Sequence, residues 1–155
     1  MTKIIGLISD THGLIRPEAL AALRGSDIII HAGDVGRPDI LGHLMAIAPV
    51  FAVRGNVDGG AWAAPLPETE TLVFGGHSLH VLHILGSLAI DLRAAGVSAV
   101  ISGHTHVPLI EEKGGVLYVN PGSAGPRRFR LPVTVGKIQV DDGQLTPEII
   151  ELKVS

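Results

Sequence analysis

The feature that most constrains this chain is a series of short, continuously apolar runs, each ending abruptly in a polar turn. Residues 4–8 (IIGLI) run into Ser9-Asp10-Thr11-His12-Gly13, residues 28–30 (III) into His31-Ala32-Gly33-Asp34, and residues 50–53 (VFAV) into Arg54-Gly55-Asn56-Val57-Asp58. A strand with one wet face alternates apolar and polar residues, so runs without alternation belong to strands buried on both faces. Such strands need covering layers. Hydrophobic residues make up 46% of the 155 residues and aromatics only 3%, so those layers are built from Ile, Val, Leu and Ala. The expected fold class is α/β, in one domain spanning residues 1–155, with no internal repeat or linker.

Between these runs the helix signals are proline near a first turn and glycine past a last one. They predict helices over 17–23, 38–47 and 88–95, the last stopped by Gly96. Residues 59–67 read as a loop, and 69–74 with 78–82 as a hairpin around Gly75-Gly76 that delivers His83. The segment 98–101 (SAVI) is another buried strand, and it opens into Gly103-His104-Thr105-His106. Beyond it, 109–112 and 116–119 pair around Gly114-Gly115, Asn120-Pro121-Gly122-Ser123 turns sharply, and 133–140 pairs with 145–152. Pro147 places that last segment on a sheet edge. Residues 71–90 hold no Asp, Glu, Lys or Arg, yet their glycine pair and His77, His80 and His83 argue for the hairpin over a membrane span.

Asp10, His12, Asp34, Asn56, His83, His104 and His106 all fall just past the carboxyl ends of predicted strands, where open α/β sheets place their ligands. Each has an ordinary alternative: a helix cap, a turn, a satisfied core histidine. Those alternatives do not account for the common location. Read as an extended segment, residues two apart share a face, so His104 and His106 would present two imidazoles to one small volume. Seven oxygen and nitrogen donors exceed what one metal can use while leaving room for a substrate, whereas two metals sharing a carboxylate can accommodate them. His31, His43, His77 and His80 lack such partners and read as structural.

The absence of cysteine excludes thiolate zinc sites and disulfides, leaving His, Asp, Glu and Asn as donors. A net charge of −3 and few aromatics argue against nucleic-acid binding, with Arg127, Arg128 and Arg130 making one local basic spot. The start of the chain lacks the length and cleavage site of a signal peptide, so a cytoplasmic location without membrane attachment is expected. A homo-oligomer remains open.

Asp10-x-His12, Gly33-Asp34, Gly55-Asn56-x-Asp58, His83 and Gly103-His104-x-His106, in that order, resemble the metal-binding blocks of the calcineurin-like metallophosphoesterases. The length and the Asn120-Pro121-Gly122-Ser123 turn resemble the small bacterial and archaeal phosphodiesterase branch. The resemblance implies a four-layer fold, a two-sheet β-sandwich flanked by helices. It implies two divalent metal ions per chain: Asp10, His12 and His106 on one, Asn56, His83 and His104 on the other, and Asp34 bridging. Manganese is the implied preference, with nickel, iron or zinc as alternatives. The implied activity is phosphodiester hydrolysis of a small substrate by a metal-bridged hydroxide, with Asn56 as a phosphoryl contact and Arg54 or Arg127 as candidates to neutralise charge. Two departures stand out. Many relatives carry a histidine general acid where this chain has Val57, and the ligand histidine is commonly followed by glycine where this chain has Ile84. Asp58 reads as the acidic neighbour that would orient an imidazole placed at 57. The rival reading is a non-catalytic protein-binding scaffold of the same fold, as in a retromer subunit.

Overall fold

A computed structural model describes residues 2–154; Met1 and Ser155, the two ends of the expected domain, lie outside the described residues. The elements in chain order are β1 (Lys3–Ile8), α1 (Pro17–Leu23), β2 (Ile28–His31), α2 (Pro38–Met45), β3 (Val50–Ala52), β4 (Thr69–Phe74), β5 (His77–Leu82), β6 (Val97–Ile101), β7 (Leu109–Lys113), β8 (Val116–Asn120), β9 (Thr134–Asp141) and β10 (Gln144–Glu151). They form two five-stranded sheets, ordered β10-β9-β1-β2-β3 and β4-β5-β6-β8-β7. Strands β1, β2 and β3 run parallel, with β3 at the sheet edge, as do β5, β6 and β8, while β9 and β10 extend the first sheet antiparallel and β4 and β7 close the second. Pro147 sits on the edge strand β10, where its missing N–H disrupts no ladder.

The unbroken apolar runs find both of their faces covered. Ile5, Leu7, Ile28 and Ile30 point between the sheets and meet Leu79, Val81, Ala99, Ile101 and Val119. Ile8 and Ile29 point the other way, against Ala19 and Leu23 of α1 and Ile40 and Leu44 of α2. Each fully buried aliphatic side chain here contributes about 2 kcal/mol. The outer face of the second sheet, Leu82, Val97, Val100 and Val116, is covered by Leu88 and Leu92.

That covering segment corrects one expectation. Residues 88–95 do not form an α-helix; a 3₁₀ turn at Leu85–Ser87 is followed by turns. The Asp91 carboxylate accepts the Ala94 N–H, and a single helical bond, Ala95 N–H to Asp91 O, follows before Gly96 reverses the chain at φ +68°. Four residues between a side-chain cap and a left-handed glycine cannot repay helix nucleation. The helix expected over 38–47 ends at Met45. Among the described residues no helix is long and apolar enough to cross a membrane.

Because β1, β2, β3, β5, β6 and β8 are parallel within their sheets, their carboxyl ends open onto the loops that follow them. Asp10 and His12 follow β1, Asp34 follows β2, Asn56 follows β3, His83 follows β5, and His104 and His106 follow β6.

Candidate metal centre

The structure brings these seven side chains together. Asp10, His12 and His106 each offer a ligand atom, all within 4.8 Å of one another, and Asp34, His83 and His104 form a second such group. Asp34 joins them: its Oδ2 lies 3.5 Å from His12 Nε2 and 3.1 Å from His83 Nε2. Asn56 enters through its Oδ1, 3.1 Å from His104 Nδ1. Asp10 Oδ1 faces three imidazole nitrogens, at 3.3 Å from His106, 3.7 Å from His12 and 3.8 Å from His83.

The backbone achieves this convergence in a way the alternation argument did not foresee. Asp10, His12, Asp34, His104 and His106 all have left-handed φ, between +47° and +74°. Each such residue costs about 1 kcal/mol against an extended or helical conformation, and Asp and His are among the types that tolerate it best. His104 and His106 therefore do not share one small volume. His106, buried, joins Asp10 and His12, and the exposed His104 joins Asp34 and His83.

Supporting contacts fix the carboxylates. Asp10 Oδ2 accepts from Ser9 Oγ at 2.6 Å and from the His104 N–H at 3.0 Å, which leaves Oδ1 bare. Asp34 Oδ1 accepts the Val57 N–H at 3.0 Å, leaving Oδ2 toward the imidazoles. Asn120 Nδ2 donates to Gly103 O and Thr105 Oγ1, tying the His104–His106 loop to the end of β8. Gly55 is indispensable: a Cβ there would collide with the Asp34 backbone N and carboxylate. Gly33, at φ +102°, leaves room for the His83 ring, which a Cβ would meet at 2.6 Å.

Asp58 departs from the role the sequence suggested. Its carboxylate accepts N–H bonds from Val35, Gly36 and Gly55, at 3.1, 2.9 and 2.9 Å, and so clamps the loop after β2 to the loop after β3. It is committed to backbone and does not serve position 57, whose valine is half exposed. His31 is structural in the sense expected, yet it supports the site: Gly33 N–H donates to its Nδ1 at 3.1 Å, and its Nε2 lies 3.0 Å from Thr11 Oγ1. Arg54 pairs with Glu68, and Arg127 lies in an exposed loop. Of the residues passed over, Ser9 and Thr11 flank Asp10 directly, and Asn120 opens the Asn-Pro-Gly-Ser turn. Adjacency to the donors was the available signal.

A cluster of two carboxylates and four imidazoles with few hydrogen bonds of its own suits cations. Buried Asp10 Oδ1 and His83 Nε2, which face the cluster, make no well-directed hydrogen bond among the described residues, a costly arrangement that coordination would relieve. Burial disfavours a charged Asp34, but contact with His83 and the Val57 N–H outweighs it and holds the carboxyl below its ordinary pKa. Burial likewise opposes charge on His83; Asp34, the Ala32 carbonyl and Asp10 outweigh that and raise its pKa. His106 is lowered by burial, with Arg128 and His12 adding to the effect. An ionised Asp34 and a neutral His106 are the forms that bind metal.

The family model for the calcineurin-like phosphoesterase superfamily domain matches residues 4–143. A curated protein of Methanothermobacter thermautotrophicus named "Probable metallophosphoesterase" is 35% identical over 162 aligned residues, covering 95% of this chain and 91% of that protein. Among solved structures, one of an archaeal phosphodiesterase superposes with a TM-score of 0.78 at 22% identity, covering 95% of this chain and 99% of the other. Vacuolar protein sorting 29 from Cryptosporidium parvum superposes with a TM-score of 0.77 at 18% identity, covering 99% of both chains. At these identities the two structural likenesses show the fold alone.

Proposed function

The chain belongs to the calcineurin-like phosphoesterase superfamily, and from that membership we propose that it is a dinuclear metal-dependent phosphodiesterase, working as a single domain. The observation that carries this reading is the pair of donor groups, Asp10–His12–His106 and Asp34–His83–His104, joined through Asp34 Oδ2. In it Asp10, His12 and His106 hold one divalent ion, Asn56, His83 and His104 hold the other, and Asp34 serves both. The family resemblance implies manganese first, with nickel, iron or zinc as alternatives, and imidazole, carboxylate and amide donors without thiolate can accommodate each of them. Bound divalent ions supply Lewis acidity toward a phosphoryl oxygen and activation of water near neutral pH.

The chain's own part is orientation and charge. Ser9 and the His104 N–H fix one oxygen of Asp10, so the other stays aimed at the imidazoles. Asp58 holds the loops of Asp34 and Asn56 at a constant separation. Asn56 turns its oxygen toward the His104 side, which leaves its NH2 group free to donate to a phosphoryl oxygen. No proton donor stands at position 57, so the leaving oxygen departs as an anion or draws its proton from water. A scaffold working only through protein contacts would leave the buried donors of Asp10 and His83 that face the cluster without a role. The test is turnover of bis(p-nitrophenyl) phosphate by protein loaded in turn with manganese, nickel, iron and zinc. Hydrolysis that chelation abolishes is expected; no turnover with any of the four would contradict the reading.

A further inference from the structure

A cleft of about 260 Å³ opens beside the centre, and Arg54, Asn56, Glu68, Thr69, His83 and Ser87 are among its lining residues. Asn56 and His83 belong both to this cleft and to the candidate metal centre, so the cleft adjoins the centre and a molecule held there has room to extend into it. Arg54 Nη2 lies 3.3 Å from Glu68 Oε1, with the Arg54 side chain 34% exposed and that of Glu68 80% exposed. A guanidinium carries five donors in a planar fork, and this contact engages only one nitrogen. An ion pair whose acid is so exposed is weak, so an incoming anion can displace Glu68. The backbone of Arg54 is anchored independently of the pair, because its N–H donates to Pro67 O at 2.8 Å.

We propose that this cleft receives the non-reacting part of an ester bearing a second anionic group, a carboxylate or another phosphate, with Arg54 as the specificity-determining residue and Glu68 as the carboxylate that the substrate replaces. The inference rests on the phosphodiesterase reading and adds a substrate class to it. Arg54 binds the second anion with the fork that Glu68 occupies singly, while Thr69 and Ser87 offer hydroxyls along the way.

The experiment compares two probes by calorimetry on metal-loaded protein: methylphosphonate, with one anionic group, and phosphonoacetate, with a carboxylate two bonds further out. Wild-type protein is expected to prefer phosphonoacetate. Arg54→Gln should reduce that preference about tenfold, the loss of one charge-assisted hydrogen-bonded contact. Arg54→Lys should restore part of it, keeping the charge without the fork. Glu68→Gln should raise it roughly threefold by removing the competitor. If both probes bind in a metal-dependent way and the preference is the same in wild type and Arg54→Gln, the assignment of Arg54 is wrong. If neither probe's binding depends on metal, the metal-centre reading fails first and this inference falls with it.

Discussion

Lowering the pH should destabilise this protein through His31, by an amount the structure allows one to work out. The ring is fully buried; Nδ1 accepts the Gly33 N–H, and Thr11 Oγ1, which donates to Val35 O, is left to accept from Nε2–H. The ring is therefore neutral, and a proton on Nδ1 would break the Gly33 bond. Burial is the main reason its pKa falls from 6.5 to about 4; Asp58 opposes that fall and the neighbouring His83 adds to it. Because the folded pKa is depressed, the unfolded chain takes up the proton first. Stability fully present above about 6.5 is lost as the pH falls toward 4. At pH 5 the unfolded ring is almost wholly protonated and the folded ring almost wholly neutral, which corresponds to about 2 kcal/mol. Urea denaturation of chelated protein at pH 7.5 and 5.0, for wild type and His31→Gln, isolates this contribution, since glutamine can accept from Gly33 and donate to Thr11 without titrating. The variant should lose about 2 kcal/mol less than wild type over that interval. Equal losses in the two proteins would refute the reasoning.

Three further outcomes follow from the site. Asp34→Asn removes the charge shared by both donor groups and should lower diesterase activity at saturating metal by at least about a hundredfold; near-normal rates would refute the shared role. Gly55→Ala drives a methyl into Asp34 and should cost about 2 kcal/mol in urea denaturation while lowering metal content, and a variant that kept both would show that the loop after β3 yields easily. With valine at 57, the ratio of kcat/KM for aryl over alkyl diesters should exceed that of an enzyme with a general acid by about a hundredfold to ten-thousandfold. A rate indifferent to leaving-group pKa would mean that another residue donates the proton.

The donors were legible because unbroken aliphatic runs announce doubly covered strands, and polar residues at their carboxyl ends announce a ligand edge. Asp10, Asp34 and Asn56 are the plainest cases, each following such a run. The turn of each side chain was not legible: the left-handed φ values of Asp10, Asp34 and His104 are imposed by packing between loops, and no local pattern encodes them. The same holds for Asp58, which reads as a neighbour of position 57 but is occupied by N–H groups from a loop more than twenty residues earlier, at Val35 and Gly36. The segment 88–95 has a helical apolar spacing, and Leu88 and Leu92 do cover the second sheet. Its length between the Asp91 cap and Gly96 decided against the helix. The division of the strands into two sheets came from the family resemblance, since periodicity alone does not say which buried strands pair.

The central claim is that the two donor groups hold two metal ions. Equilibrium dialysis of chelated protein against manganese, with metal per chain read by elemental analysis, tests it most directly. Two ions per chain are expected, falling toward one or fewer in Asp34→Asn; a saturating stoichiometry of one or zero in the wild type would contradict the account.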